Sequence, residues 1–392
     1  MRSPCYTAQV DLWGQLVETW ATNRKIKENW NYRVALTSLG NAYQSLGQYH
    51  KAIESHQEQL KIAREIGNCR AEGAALGNLG NAYDSLGQYQ QAIDSYQHCL
   101  TISREIGNRN DEASALGNLG ITYSSLGQYQ KAIEFHQQCL KITREIGDRN
   151  GEGIAFGGLA IAYHSLGYYQ QAIEYHKRHL KIAKEIGNRK AEGTALGGLG
   201  NAYFSLGEYQ PAIDFYQQCL TISREIGDRS GEGITFGGLG NIYFSLREYQ
   251  QAIDFFQQWL KITKEIGDRN SEGKSLMNLG AAYLEQGQYP QAIDFFQQSL
   301  EISREIGDIR GEAITWFNLG LTLENGNRQS DALGAYRNAR ELYQKMELDA
   351  NVQLCNDAIE RLSQPQTPVV TSRGFWAWLR RLWRWVRSWF RR

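Results

Sequence analysis

The chain has 392 residues, and its 42 basic side chains balance its 42 acidic ones. Seven arginines lie between Arg373 and Arg392, so residues 1–372 hold 35 basic and 42 acidic side chains. This distribution argues against a general nucleic-acid-binding body, and six cysteines without a CxxC pair exclude a disulfide scaffold and a zinc finger.

Residues 1–30 are predicted to form a capping half-repeat at the N-terminus. Leu12, Leu16, Trp20 and Ile26 follow a helical spacing in the register of the second helix of the repeats that come next. The first twenty residues lack the 7–15-residue apolar core of a secretory signal, and the chain has no stretch long and apolar enough to cross a membrane. A cytoplasmic location is therefore expected.

Residues 31–345 repeat with a period of 40. Glycine follows the repeated leucine in all but one repeat, where Ala160 stands instead, and a tyrosine comes three residues later in seven of the eight. So strict a period indicates stacked supersecondary units that share one elongated core. The leucine occurs at Leu39, Leu79, Leu119, Leu159, Leu199, Leu239, Leu279 and Leu319.

Each 40-residue unit resolves into two helices, which we name helix A and helix B. In residues 71–110, apolar positions spaced three and four residues apart run to Leu86, and Gly87 ends that helix. A second such run begins at Tyr89 and ends before Gly107, a residue suited to a left-handed helix end. We expect the small residues Gly80 and Ala92 to face each other where the two helices meet.

This pattern resembles the tetratricopeptide repeat (TPR) family. The resemblance rests on Leu79-Gly80-Asn81-Ala82-Tyr83 of helix A and on the alanine and aromatic residue, four apart, of helix B. It covers residues 31–345 as eight units. Their 40-residue length is similar to the subclass in Pins-type polarity adaptors and kinesin light chains. The resemblance implies an all-α solenoid, a right-handed TPR superhelix, that binds other proteins.

Candidate catalytic residues all fit the repeat. His56, His136 and His176 occupy a helix B position that is aromatic in other units, and Cys99 and Cys139 share another with unrelated residues. We interpret both groups as packing residues, since a catalytic cysteine needs a basic partner that lowers its pKa. The repeated Arg–Glu pairs of the turns are interpreted as solvated surface pairs. We therefore expect no enzyme activity, no metal and no cofactor.

The family resemblance places ligand contacts on the A helices, which line a concave groove. Two positions carry them, one before the repeated leucine and one after the glycine, and both are rich in asparagine. A side-chain amide can donate to a peptide carbonyl and accept from a peptide N–H. The alternative is that these amides bond only to neighbouring turns or water. The asparagines are Asn78, Asn118, Asn278 and Asn318 at the first position, and Asn41, Asn81, Asn201 and Asn241 at the second.

The groove departs from TPR proteins that clamp a peptide carboxylate with lysines and arginines. Lys274 is its only predicted cation, so a carboxylate clamp is not expected. The later units instead place Phe204 and Phe244 on the predicted groove, as an apolar strip suited to a partner. Packing of these two rings between units is the alternative.

Three segments follow the repeats. Residues 346–363 are predicted to form a capping helix, and residues 364–373 a polar linker with two prolines. Residues 374–392 are predicted to form an amphipathic helix with an apolar aromatic face and a cationic face, which is typical of a helix that lies in a membrane interface. Its proposed membrane-binding residues are Trp376, Trp378, Arg380, Arg381, Trp383, Arg384, Trp385, Arg387, Trp389 and Arg391.

Three interpretations of this tail remain open. It attaches the protein to the inner face of an anionic membrane, it acts as an autoinhibitory ligand of the groove, or it binds nucleic acid. The sequence favours a scaffold that binds proteins or extended peptides in its groove and is held peripherally at a membrane, without a small-molecule substrate. A membrane-perturbing effector whose active part is the tail is the alternative from another class.

Overall fold

The computed structural model describes residues 4–21 and 30–364, and every regular element in these stretches is an α-helix. The prediction of an all-α solenoid built from helix pairs is confirmed. The first helix is Pro4–Ala21 and the last is Asp349–Ser363. The amphipathic helix predicted for residues 374–392, with its ten proposed membrane-binding residues, lies outside the described residues.

Within residues 30–345, sixteen helices form eight A–B pairs at a 40-residue spacing. The pairs are Trp30–Ser45 with Tyr49–Glu65, Cys69–Ser85 with Tyr89–Glu105, Arg109–Ser125 with Tyr129–Glu145, Arg149–Ser165 with Tyr169–Glu185, Arg189–Leu206 with Tyr209–Glu225, Arg229–Ser245 with Tyr249–Ile266, Arg269–Glu285 with Tyr289–Ile306, and Ile309–Asn325 with Gln329–Lys345. We number these pairs repeats 1 to 8.

The described residues divide into two compact parts, one that ends at Ala202 and one that begins at Tyr203. Within each part, helices that follow one another in sequence pack side by side. In the first part, Val17 of the first helix packs against Tyr32, Leu36 and Ile62 of repeat 1. In the second part, the last helix packs against helix B of repeat 8 and buries Cys355.

Turn residues fix where the helices begin and end. Gly107 has φ of 68°, a left-handed conformation that costs a glycine little, and it closes the end of helix B in repeat 2. Asn108 follows, and its side chain accepts a hydrogen bond from the backbone N–H of Asp111. Asp148 caps the next A helix by accepting from the N–H of Gly151, at 2.9 Å.

The repeated glycine of helix A receives the aromatic ring of helix B. A Cβ atom placed on Gly80 would lie 2.4 Å from the ring of Tyr96, so any larger residue would displace the ring. Gly280 and Gly320 face Phe296 and Tyr336 in the same way. The close approach expected at Gly80 is therefore present, but the nearest atoms there belong to the Tyr96 ring and not to Ala92.

Some helix B rings also reach the next repeat. His136 lies against Gly120 of its own repeat and against Gly158 of repeat 4, whose added Cβ would lie 2.3 Å from the imidazole. His176 meets Gly198, and Tyr216 meets Gly238, in the same manner. The glycines therefore let one ring pack against two successive A helices, which joins neighbouring repeats.

Arginine–glutamate pairs connect the repeats at their turns. Glu152 accepts a hydrogen bond from Arg144 Nε at 2.8 Å and another from Arg149, and Arg149 also reaches Glu185. Glu152 is only 7% exposed, although its arginine partners are about half exposed. The interpretation of these pairs as solvated is thus wrong for the glutamate, which is buried between two arginines. Glu112 and Glu232 have the same surroundings.

The buried histidines predict an acid-sensitive fold. Burial lowers the pKa of His136 to about 4, below its value of about 6.5 in an unfolded chain. The unfolded state takes up a proton more readily than the folded state. The stability that depends on a neutral His136 is therefore fully present above pH 6.5 and is lost as the pH drops towards 4. This histidine alone contributes about 3 kcal/mol to that loss.

We expect His136→Tyr to reduce this acid sensitivity, since Tyr216 already occupies the equivalent space against Gly238. Urea denaturation at pH 7.5 and pH 4.5, followed by circular dichroism, measures the change in the free energy of unfolding between the two pH values. His98→Gln is the control because His98 is exposed on a B helix. Equal acid sensitivity of His136→Tyr and the native chain would contradict the prediction.

Candidate functional site

The predicted groove asparagines differ in their exposure. Asn41 and Asn201 are exposed, and Asn81 and Asn241 are half-buried. Of the asparagines that precede the repeated leucine, Asn78, Asn118 and Asn318 are half-buried, and Asn278 is buried. The position after the glycine is therefore the more accessible of the two.

The structure joins asparagines of successive repeats. Asn118 of repeat 3 donates from its side-chain amide to Asn81 Oδ1 of repeat 2, at 3.1 Å. Asn278 donates to Asn241 Oδ1 in the same way, at 3.3 Å. Tyr96 adds a second donor to Asn81 Oδ1, at 2.7 Å. These bonds occupy the carbonyl oxygen of Asn81, so its NH2 group is the part that a ligand could use.

Asn81 and Asn118 line a cavity of about 190 Å³ on the A helices of repeats 1 to 3. Gln44, Asp84, Ser85 and Thr122 supply further polar groups to its wall, and Tyr96 and Ile121 complete it. Ser85 and Ile121 are exposed, so the cavity opens to solvent. We call it the Asn81 cavity. It combines hydrogen-bonding groups with one apolar side chain.

Asp84 and Thr122 are functional candidates that the sequence analysis missed. The Thr122 hydroxyl of repeat 3 donates a hydrogen bond to Asp84 Oδ1 of repeat 2, at 2.7 Å, and this bond joins the two repeats. The signal was present in the sequence, because the helix A position of Asp84 is acidic only there and at Glu324. A repeat alignment that looks for departures from the consensus would have found it.

Neighbouring tyrosine rings cover part of the predicted apolar strip, which consists of Phe204 and Phe244. Phe244 is 8% exposed, and its ring meets that of Tyr249 at a centroid distance of 5.5 Å. Phe204 is half-buried against Tyr209. Lys274 is exposed beside a cavity of about 20 Å³, which is room for a single water molecule. Of the two rings, Phe204 keeps more surface for a ligand.

Exposed isoleucines make a clearer apolar surface on the A helices. Ile154 and Ile161 are 49% and 53% exposed and lie seven residues apart, on one face of helix A in repeat 4. Ile121 occupies in repeat 3 the position that Ile161 has in repeat 4. It is 44% exposed and also borders the Asn81 cavity. In the second compact part, Ile234 is 60% exposed. A group of exposed apolar side chains on one face, unlike a single one, is typical of a surface that binds a partner.

The histidines and cysteines show the surroundings of packing residues. His56 and His136 are at most 1% exposed, and burial lowers the pKa of both. Burial raises the pKa of Cys139 to about 11, which disfavours the nucleophilic thiolate. Among the described residues, no group of His, Cys, Asp and Glu has the arrangement of a metal site. No helix within residues 4–21 and 30–364 is long and apolar enough to cross a bilayer.

The sequence model of the tetratricopeptide repeat matches seven overlapping stretches that run together from residue 32 to residue 345. These are residues 32–105, 85–145, 111–185, 151–225, 191–265, 231–305 and 271–345. The chain belongs to the tetratricopeptide repeat family. The resemblance drawn from the Leu-Gly and Ala-aromatic pattern is thereby confirmed. No curated protein matches the chain.

Several solved structures are similar in fold to this chain at low sequence identity. The apo quorum sensor NprR of B. thuringiensis is 15% identical, with a TM-score of 0.61, over 86% of this chain and 98% of NprR. A Rap protein in complex with Competence and Sporulation Factor is 14% identical, with a TM-score of 0.57, over 91% and 97% of the two chains. A tetratricopeptide repeat protein of Parabacteroides merdae is 19% identical, with a TM-score of 0.53, over 74% and 98%.

Thiol reactivity tests the interpretation of the cysteines. Cys69 is exposed, whereas Cys139 and Cys355 are buried and burial raises their pKa values to about 11 and about 12. We expect iodoacetamide at pH 8 to alkylate Cys69 within minutes, and the other two only after denaturation in urea. Peptide mass spectrometry measures each site. Rapid alkylation of Cys139 in the folded protein would contradict a packing role.

Proposed function

We propose that this TPR protein is a non-catalytic interaction scaffold that binds an extended segment of a partner protein along the exposed face of its A helices. The observation that carries the proposal is the Asn81 cavity together with Ile121, Ile154 and Ile161, which place hydrogen-bonding groups beside apolar ones. An extended peptide needs both, because its backbone requires hydrogen-bond partners and its side chains require apolar contacts.

The comparisons support the same class of function. TPR arrays are interaction modules, and the Rap structure similar to this chain was determined with Competence and Sporulation Factor bound. The buried histidines and the high thiol pKa values also disfavour catalysis at the positions where a nucleophile would be sought. A cytoplasmic scaffold is consistent with free cysteines throughout the described residues.

A second proposal concerns location. Residues 374–392 contain five tryptophans and six arginines without an acidic residue, which supports reversible attachment to an anionic membrane surface. Each arginine near such a surface contributes about 1 kcal/mol. The alternatives are a tail that perturbs membranes and a tail that occupies the groove of its own protein.

The isoleucine surface provides the test of the scaffold. We expect Ile154→Glu with Ile161→Glu to weaken partner binding by at least about tenfold, since a charge replaces apolar contact area. A photo-crosslinking residue at the exposed position 201 first identifies the partner segment by mass spectrometry, and fluorescence anisotropy with that segment then gives its Kd.

The matched control is Ile106→Glu, because Ile106 is 41% exposed but lies at the end of a B helix. The control should bind with the native Kd, and all variants should keep the native helical circular dichroism. An unchanged Kd in the double variant would exclude this face as the binding surface.

Membrane attachment is tested by liposome flotation of the full chain and of a variant ending at residue 372. Vesicles containing about one third phosphatidylserine should carry the full chain to the top of the gradient and leave the shortened chain below. Neutral vesicles are the control, since arginine attraction requires anionic lipid. Dye release from the vesicles would favour the membrane-perturbing alternative. Equal behaviour of both chains would reject attachment through the tail.

A further inference from the structure

At the helix A position that holds Asp84 in repeat 2, the glutamate of repeat 8 binds an arginine. In repeat 8, Glu324 receives two parallel hydrogen bonds from Arg361 of the last helix, at 3.1 and 2.8 Å. The Tyr336 hydroxyl donates to the same carboxylate at 2.9 Å. This acid–tyrosine pair is therefore a formed guanidinium site with bidentate geometry.

Repeat 2 has an acid and a tyrosine at the same two positions but no arginine, and its tyrosine hydroxyl donates to Asn81 Oδ1 instead of to the acid. Asp84 and Tyr96 precede Glu324 and Tyr336 by six 40-residue periods, and the position that corresponds to Arg361 is Ile121. Asp84 accepts a hydrogen bond from the Thr122 hydroxyl, and no lysine or arginine stands among the residues that line the Asn81 cavity. The cavity opens beside Asp84, with a volume of about 190 Å³. The chain thus supplies a cation to one of the two acids and leaves the other facing open space.

The walls of the Asn81 cavity suit a positive group. Asp84 is the only one of its eight lining residues that carries a charge at neutral pH, and the cavity has no cationic side chain. Tyr96 is neutral there, because burial and the neighbouring carboxylate raise its pKa. The amide oxygen of Gln44 offers a further acceptor at the rim.

We propose that the Asn81 cavity is a specificity pocket for an arginine side chain of the bound partner segment, with the guanidinium paired to Asp84. The planar guanidinium matches a carboxylate in two parallel bonds, as Arg361 already does with Glu324, whereas a lysine ammonium does not. An apolar partner residue next to the arginine then contacts Ile121 and Ile161. This inference rests on the proposed function and names the chemistry of the segment that the scaffold selects.

The first test is a pair of peptides that differ only in charge. Acetyl-Ala-Arg-Ala-Ile-Ala-amide and its citrulline counterpart are titrated into the full chain, and nitrogen-correlated NMR follows the side-chain amides of Asn81 and Asn118. We expect the arginine peptide to bind at least about tenfold tighter, because charge-assisted bonds are roughly twice as strong as neutral ones. Asp84→Asn should abolish the preference, and Asp94→Asn, an exposed acid on helix B, should keep it.

A second test needs no ligand. Ile121→Arg places a guanidinium where repeat 8 has Arg361, so it should fill the cavity from within. We expect it to raise the thermal midpoint by about 1 °C or more with Asp84 present and not in an Asp84→Asn background, and to prevent binding of the arginine peptide.

The outcomes separate the pocket from the scaffold. Equal affinity of the two peptides, or a preference that survives Asp84→Asn, overturns the arginine pocket and leaves the scaffold proposal to the isoleucine variants. Failure of both peptides to bind at millimolar concentration, with no coupling between positions 84 and 121, also overturns it. Loss of partner binding in the Ile154 and Ile161 variants supports the scaffold in either case.

Discussion

The contact between an aromatic ring of helix B and a glycine of helix A is the constraint on which the array depends. A ring such as Tyr96 fills the space that is open because glycine has no side chain. A Cβ atom at Gly80 would lie only 2.4 Å from this ring, so no larger residue fits there without displacing it. Where a second glycine stands in the next repeat, as at Gly158, one ring packs against two A helices. Spacing within a repeat and spacing between repeats are then set by the same side chain.

This packing also decides what the exposed face of the A helices can offer. Because glycine, leucine and alanine face the B helices, the remaining helix A positions are free to vary without disturbing the array. That freedom is visible at the position of Asp84, which is Gln44 in repeat 1, His164 in repeat 4 and Glu324 in repeat 8. Recognition chemistry can therefore differ from repeat to repeat on a constant frame, as expected of a repeat protein.

Most of the fold could be predicted from the sequence, whereas of the site only Asn81 and Asn118 could. The period of 40, the left-handed Gly107 and the helix A and B patterns gave helices that the structure reproduces, since each depends on local sequence. The bond from Asn118 to Asn81 and the bond from Thr122 to Asp84 join residues almost one repeat apart. Their geometry depends on how two repeats are packed, which no local pattern contains.

The burial of individual side chains also could not be predicted from local sequence patterns. From the sequence, a glutamate in a polar turn such as Glu152 is expected to be solvated. In the structure it is buried between two arginines. The repeat position of Phe244 predicts that it lies on the groove, but in the structure its ring packs on Tyr249. In both cases the neighbouring helix determines the environment of the side chain.

The arginine–glutamate network has a consequence for how such a chain can change in length. Glu112, Glu152 and Glu232 each bind two arginines at their turns, so these junctions carry the same set of charges. Copying or deleting a 40-residue segment between these turns would leave each remaining turn glutamate paired with arginines. Genetic duplication could thus lengthen the scaffold in whole modules without exposing unbalanced ions at the new joint.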